Sequence, residues 1–223
     1  MIARIWHGVV PVSKGDEYLD LMQRIALPEY LATRGNRGAW CLHRTAAGER
    51  HFQMLSFWDD IDGIKRFAGD DYSMAKYYDF DSAYLIEMEP GVRHYDVYSE
   101  NSTNPVQSVR GQSGDENTIA RLWQGVVPIE EAEAYSAYLT DFGFRDYQAY
   151  PGYRGAHLLR RTEAAQIHLL LLSFWNSRES IVAYAGANIE HTHYYPYDLE
   201  CLIDPPPNVE HYEVVSRPAP GVV

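Results

Sequence analysis

Three histidines are the residues of this sequence whose chemistry is easiest to anticipate. His191 and His193 stand immediately before the pair Tyr194 and Tyr195, and His7 lies near the start of the chain. An imidazole titrates close to neutral pH, so each of the three could act as a general base. An H-x-H pair on a strand would share one face and favour a metal, whereas on a helix the two side chains diverge. The surrounding segment has a helical or irregular pattern, which favours a base role, and we predict no metal site.

The sequence repeats itself, and each of these histidines is specific to one copy. Residues 2–11 return as residues 119–128, and the alignment continues without a gap to residue 99. Roughly 37 of about 97 aligned positions are identical, which indicates a duplicated domain. The relevant pairs are His7 with Gln124, Met74 with His191, and Lys76 with His193. Drift after duplication can produce such asymmetry, and so can selection for catalysis in one copy. We predict catalytic roles for these histidines, with most of the chemistry in the second copy.

Each copy also carries one arginine and a set of aromatic residues that could line a ligand pocket. Alternation along the first strand places Arg4 and Trp6 on one face and His7 on the other. An aromatic pocket with one convergent cation would suit a phenolate or a carboxylate. The aromatic residues could equally form only the core, and an ion pair with a helix acid would explain the arginines. The predicted ligand-binding residues are Arg4, Trp6, Phe67, Tyr77 and Tyr78 in the first copy and Arg121, Trp123, Tyr184, Tyr194 and Tyr195 in the second.

The composition excludes several classes of protein. The 223 residues carry a formal net charge of −12 with scattered basic residues, which argues against a nucleic-acid partner. No run of about 18 apolar residues and no signal-peptide pattern occurs, so we expect no membrane span and a cytoplasmic location. Cys41 and Cys201 occupy non-equivalent positions and provide neither a disulfide framework nor a zinc set. No Ser-His-Asp set, P-loop or dinucleotide-binding turn is present.

The order of predicted elements in each copy is β-α-β-β-α-β, an α+β pattern typical of a ferredoxin-like unit. In the first copy the predicted strands are residues 2–10, 37–45, 51–58 and 92–98. Ser13 is predicted to cap the first helix, Pro28 to interrupt it, and Asp59 or Asp60 to cap the second. The predicted organisation is repeat one at residues 1–99, a polar linker at 100–117, repeat two at 118–216 and a tail at 217–223.

One strand of the second copy is apolar on both sides, because Leu169–Leu172 form an unbroken run. Such a strand should be covered on both faces. Helices would cover one face, so we predict that the sheet of the other repeat covers the second. The two repeats would then form an intramolecular barrel.

Several repeated segments resemble the antibiotic-biosynthesis monooxygenase family of dimeric α+β barrels. They are the pieces IARIW.GVVP, RGA, LSFW, YY..D...LIE and V.HY.V, and the resemblance spans nearly all of each repeat. It implies that the repeats pair like the two chains of such a dimer, as an intramolecular pseudo-dimer that could dimerise further. It also implies a pocket between each sheet and its helices.

The family contains cofactor-free oxygenases, haem-degrading enzymes and members without a known reaction. Haem degradation is associated with a first-strand Asn, a second-helix Trp and a later His. The nearest positions here hold Trp6 or His7, Phe67 and Tyr77, and in the second repeat Trp123 or Gln124, Tyr184 and Tyr194, so none of the three is kept.

We therefore predict a cofactor-independent monooxygenase acting on a small aromatic or polyketide-like substrate, with no cofactor. The alternative is a non-catalytic ligand-binding or stress-response protein that uses the same aromatic pocket.

Overall fold

The computed structural model describes residues 1–98 and 118–215, in which two compact units are distinguished. Of the described residues, the first unit comprises 1–95 and 213–215, and the second comprises 96–98 and 118–212. The predicted linker, residues 100–117, and tail, residues 217–223, lie outside the described residues, and the repeat boundaries stay predictions. Within the described residues, no helix is both long and apolar enough to cross a membrane.

The first unit is built on an antiparallel sheet. Its strands are β1 (Ile2–Pro11), β2 (Asn36–Ala46), β3 (Glu49–Trp58) and the start of β4 (Arg93–Val97). β3 lies between β1 and β2 and pairs with both over nearly its whole length. The residues Glu213–Val215 pair antiparallel with β2, so the end of the described chain adds a strand to this sheet.

The helices of the first unit lie against one face of that sheet. They are α1 (Gly15–Leu21), a π-helical turn (Met22–Ala26), α2 (Leu27–Ala32), α3 (Ile61–Ala68) and α4 (Asp81–Tyr84). Tyr18, Met22 and Phe67 from the helices pack in one buried cluster with Trp6 and Met54 from the strands. The sheet-and-helix arrangement confirms the predicted α+β class.

One detail of the first helical segment was predicted wrongly. Ser13 is not a cap, because it lies in the 3₁₀ turn Val12–Lys14 and no side chain caps α1. The predicted interruption near Pro28 is present, because a π turn ends at Ala26 and Pro28 falls in the first turn of α2, where a missing N–H is tolerated. The intervening π turn adds a residue to the helical repeat and rotates the buried face, which leaves Ile25 43% exposed. The cap of α3 was predicted correctly: the Asp60 carboxylate accepts from the Gly63 N–H at 2.8 Å.

The second unit follows the same course. Its strands are β5 (Ile119–Pro128), β6 (Tyr153–Glu163), β7 (Gln166–Trp175) and the start of β8 (Glu210–Val215). Its helices are α5 (Ala132–Tyr138), a π turn (Leu139–Gly143), α6 (Phe144–Gln148), α7 (Arg178–Ala185) and α8 (Pro196–Cys201). β7 pairs antiparallel with β5 and β6, and Asp96–Val97 pair with β6.

The apolar strand β7 is buried on both sides, as the sequence predicts. Leu169 and Leu171 belong to the cluster between sheet and helices. Leu170 and Leu172, which point to the opposite face, are only 3% and 1% exposed. The intramolecular barrel that we inferred from this strand stays a prediction.

Stability should fall as the solution is acidified, because buried histidines must take up protons. Burial lowers the pKa of His157 on β6 from its ordinary 6.5 to about 4. The unfolded chain therefore binds this proton first, and the stability present above pH 6.5 is lost between pH 6.5 and about 4. For His157 alone we expect a loss of about 3 kcal/mol, measured by urea unfolding across this range.

The variant His157→Leu should reduce this loss, whereas His191→Gln, a change at an exposed residue, should not. An equal acid sensitivity in wild type and His157→Leu would show that other groups control the transition.

Candidate functional site

A pocket in the second unit opens between β5, α5, the π turn, α6, α7 and the segment before α8. The cavity itself has a volume of about 30 Å³. The space between the lining atoms reaches about 430 Å³ when the open mouth is included. A bicyclic ligand therefore requires side chains at the mouth to move. The lining residues are Arg121, Trp123, Tyr135, Tyr138, Leu139, Gly143, Tyr147, Leu171, Tyr184, Thr192, His193, Tyr194, Tyr195 and Asp198.

Trp123 forms one wall of the pocket, and a glycine two positions later makes room for its ring. A Cβ on Gly125 would lie 2.3 Å from Trp123 Cη2 and 2.8 Å from Leu202 Cδ2, closer than real contacts allow. The Trp123 indole N–H makes a long hydrogen bond of 3.5 Å to the Tyr194 hydroxyl, which itself donates to the Pro206 carbonyl at 2.6 Å. β5 thus positions the Trp123 indole, and Tyr194 in the segment after α7 accepts the hydrogen bond of its N–H.

Arg121 brings a buried charge to the pocket. Its side chain is 3% exposed, its Nη2 donates to the His191 carbonyl at 3.2 Å, and its guanidinium carbon lies 5.7 Å from the Tyr184 ring centroid. Arg4 in the first unit donates in the same way to the Met74 carbonyl at 2.8 Å. Among residues 1–98 and 118–215, neither arginine has the ion pair with a helix acid that the sequence left open. A structural ion pair therefore does not account for them.

A buried tyrosine–aspartate pair lines the pocket and was not predicted from the sequence. The Tyr135 hydroxyl donates to Asp198 Oδ1 at 2.9 Å, and Asp198 Oδ2 accepts the Tyr195 N–H at 2.8 Å. Burial raises the pKa of Asp198, and these two hydrogen bonds oppose the rise. The first unit repeats the pair as Tyr18 and Asp81 at 2.7 Å. The signal was present, since both pairs recur at the repeat spacing.

The tyrosines of the pocket are held as neutral phenols. Burial raises the pKa of Tyr184 and of Tyr147, whose rings lie 4.8 Å apart edge to face. Tyr195 donates to the Asp146 carboxylate on α6, and burial together with this acceptor raises its pKa as well. Tyr195 and Asp146 therefore connect the segment before α8 to α6.

Of the two neighbouring histidines, the structure brings only His193 to the pocket. Its ring centroid lies 5.4 Å from that of Tyr184 and 5.0 Å from that of Tyr195, and the residue is solvent-exposed. An exposed imidazole at an aromatic mouth can exchange protons with both water and ligand. The His191 side chain is exposed and does not line the pocket, and this residue contributes its carbonyl to Arg121.

His7 lies elsewhere in its own unit. On β1 it points away from the face of Trp6, and its Nδ1 lies 2.6 Å from Glu89 Oε1. Its Nε2 lies 3.4 Å from Nδ1 of His51, with which it stacks. The structure therefore does not place His7 with the aromatic residues of the first unit.

Those aromatic residues gather on the helix side, as in the second unit, but with a different polar group. The rings of Trp6 and Tyr77 meet edge to face with centroids 6.4 Å apart. Where the second unit has His193, the first has Lys76, whose ammonium lies 4.5 Å from the Phe67 ring centroid and 2.5 Å from Glu29 Oε1. Tyr78 packs in the same cluster. A paired ammonium is a poor base, so the two sites differ chemically.

Metal ligands and the tyrosines nearest the haem-degrading pattern can be compared with the described residues. Among residues 1–98 and 118–215, no group of three His, Cys, Asp or Glu side chains could hold a metal ion. Tyrosine ligates haem iron as a free phenolate. At the two positions nearest the haem-degrading pattern, the Tyr194 hydroxyl is bound to the Pro206 carbonyl and burial raises the pKa of Tyr184. These tyrosines do not fit that role.

Filling the pocket from the π turn should weaken ligand binding without loss of stability. Gly143 is buried and lines the pocket, yet a Cβ built on it meets no atom within 4 Å. The side chain of Gly143→Leu would therefore occupy the pocket, and replacing glycine in a helix gains up to about 1 kcal/mol. We expect calorimetry with 2-hydroxy-1,4-naphthoquinone to show affinity weakened about tenfold or more, with an unchanged or higher Tm.

Gly143→Ala is the graded control and should weaken binding less. Undiminished binding by Gly143→Leu would place the ligand outside this pocket.

Comparisons with known proteins identify the fold. No protein-family model matches the sequence, and no curated protein matches it. Two provisionally named monooxygenases, from Fusobacterium nucleatum and Lactobacillus acidophilus, each align with 96% of this chain at a TM-score of 0.61 and 12% identity, over 90% and 92% of their own lengths. An anthrone oxidase-like protein aligns with 96% of the chain and 92% of its own length, at a TM-score of 0.54 and 14% identity.

Identities this low establish the fold and not the reaction. The chain therefore shares the fold of these monooxygenase-like proteins, as its resemblance to the antibiotic-biosynthesis monooxygenase family implied.

Proposed function

We propose that the second unit is a cofactor-independent monooxygenase acting on a small aromatic or polyketide-like compound. The observation that carries the proposal is His193, an exposed imidazole against the aromatic wall of the pocket, at a position where the first unit has a paired lysine. The name of the anthrone oxidase-like neighbour supports the same class of substrate. Arg121, Trp123, Tyr184, Tyr194 and Tyr195 would bind the substrate, and His193 would be its base.

The reaction needs only a proton acceptor and dioxygen. His193 takes a proton from the acidic hydroxyl or activated CH₂ of the substrate, and the resulting anion transfers electrons to dioxygen. A peroxide forms at the activated carbon, and its O–O bond breaks as the second C–H proton leaves. An anthrone CH₂ thereby becomes a carbonyl, dioxygen supplies one oxygen atom to the product, and the other leaves as water.

The proposal includes the architecture that would support the pocket. Each repeat would be ferredoxin-like, and the two sheets would pair within the chain as a pseudo-dimer. The doubly buried strand β7 supports this arrangement, because its Leu170 face needs a cover.

Oxygen uptake with a panel of anthrones and hydroquinones tests the activity. With an anthrone we expect one dioxygen consumed per carbonyl formed, with ¹⁸O from dioxygen in the product, and no requirement for added metal or flavin. A hydroquinone converted to a quinone with hydrogen peroxide and without ¹⁸O would indicate an oxidase instead. Retention of activity after chelation and extensive dialysis is the matching control. Tight binding of the panel without uptake would reject the oxygenase and support a binding protein.

A non-catalytic ligand-binding protein is the second candidate. The first unit favours it, because the same aromatic arrangement persists there around Lys76 and without His193. The architecture therefore does not depend on a base, and only the uptake experiment separates the two functions.

A further inference from the structure

We propose that the pocket of the second unit binds its aromatic ligand as an anion, with the Arg121 guanidinium as the counter-charge. This inference rests on the proposed function for the location of the site, but it concerns binding and holds whether or not turnover follows. The ligand class is a compact aromatic system that carries one anionic oxygen, either an acidic ring hydroxyl or a carboxylate.

The first support is the incomplete set of partners around Arg121. The side chain is 97% buried, given its 3% exposure, and it lines the pocket. One amino group donates to the His191 carbonyl, but the Nε–H is buried without an acceptor in the described part of the chain. A buried guanidinium is stabilised by a carboxylate or another anion, and no carboxylate lies within ion-pair distance among the described residues.

The second support is that the neighbouring groups cannot neutralise the charge. Tyr184 and Tyr147 remain neutral phenols, because burial raises the pKa of each. Asp198 also lines the pocket but makes no ion pair with Arg121, and its two oxygens accept from Tyr135 and from the Tyr195 N–H. A ligand anion is thus the group that would neutralise the positive charge of Arg121.

The proposal has a chemical consequence for the reaction. A guanidinium beside the ligand oxygen lowers the pKa of a bound phenol and favours the ionised form. That form is the one that donates electrons to dioxygen. Arg121 would therefore bind the reactive state, while His193 at the mouth would accept the proton.

A pair of ligands that differ in charge but little in shape provides the test. At neutral pH, 2-hydroxy-1,4-naphthoquinone is ionised, whereas its methyl ether is neutral. By calorimetry we expect the wild type to prefer the anion by about tenfold or more, and Arg121→Met to abolish that preference. Arg121→Lys should restore part of it. A third ligand, 2-naphthoate, shows whether a carboxylate replaces the ring hydroxyl.

The controls separate charge from folding and from location. Arg160→Met removes a cation from the same unit. Arg160 does not line the pocket and forms an ion pair of 2.9 Å with Glu133. This variant should keep the preference for the anion. The proposal is overturned if Arg121→Met weakens both ligands equally, if the wild type shows no preference, or if Arg4→Met is the more damaging change. Absence of oxygen uptake with the preference intact would reject the oxygenase alone.

Discussion

Replacing His193 by alanine should lower oxygen uptake on the best substrate of the panel by about 10²–10⁴-fold, the usual cost of losing a general base. His193 lines the pocket mouth and contacts the rings of Tyr184 and Tyr195. Because the residue is exposed, its truncation should leave the urea midpoint unchanged and binding affected only modestly. The measurement is kcat by oxygen electrode, with binding and unfolding followed in parallel.

His191→Ala is the matched control for this variant. The two histidines are two residues apart and both exposed, but the His191 side chain does not line the pocket and its carbonyl, which holds Arg121, survives the substitution. We expect less than about a threefold change. His7→Ala should also have the smaller effect, because His7 lies on the other strand face beside Glu89. If His191→Ala or His7→Ala were the more damaging variant, the assignment of the base would be wrong.

Gly125→Ala should disable the site by displacing Trp123, although the glycine itself contacts no ligand. The added Cβ would lie 2.3 Å from the indole, so the ring must move into the pocket or the strand must shift. Overpacking of this kind typically costs about 1–3 kcal/mol. We expect a lower Tm and a loss of 2-hydroxy-1,4-naphthoquinone binding of about tenfold or more.

The duplication supplies a control with the same packing cost in the other unit. A Cβ on Gly8 would likewise lie 2.3 Å from the Trp6 ring, so Gly8→Ala should destabilise the protein about equally. It should leave ligand affinity within about threefold, because Trp6 belongs to the first unit. Equal loss of binding in both variants would indicate that the effect arises from general destabilisation and not from the pocket.

The strands and their faces were predictable, because the duplicated segments repeat in the sequence and successive side chains of a strand alternate between its two faces. The repeated first strand predicted Arg4 and Trp6 on one face and His7 on the other. The structure places Arg4 and Trp6 with Phe67 on the helix side and His7 beside Glu89. The unbroken Leu169–Leu172 run predicted a strand that is buried on both faces. Both predictions depend on a period of two, which β-structure imposes strictly.

The helical side of the site was less predictable, because its geometry depends on contacts distant in sequence. A π turn cannot be recognised from helical spacing, yet it turns Ile25 outward and brings Gly143 to the pocket. The Tyr135–Asp198 pair joins residues on α5 and α8, far apart in the chain, so a carboxylate in an acidic sequence gave no local sign of burial. The only sequence signal for this pair is that both of its residues recur at the repeat spacing, as Tyr18 and Asp81.

The location of the ligand tests the account most directly. The chain has 5 tryptophans, so protein labelled with 5-fluorotryptophan gives a small set of ¹⁹F signals that single Trp→Phe variants assign. On titration with 2-hydroxy-1,4-naphthoquinone, we predict a saturable shift of the Trp123 signal at a lower ligand concentration than any shift of the Trp6 signal. A shift of Trp6 without Trp123, or saturable binding that moves neither, would contradict a working pocket in the second unit.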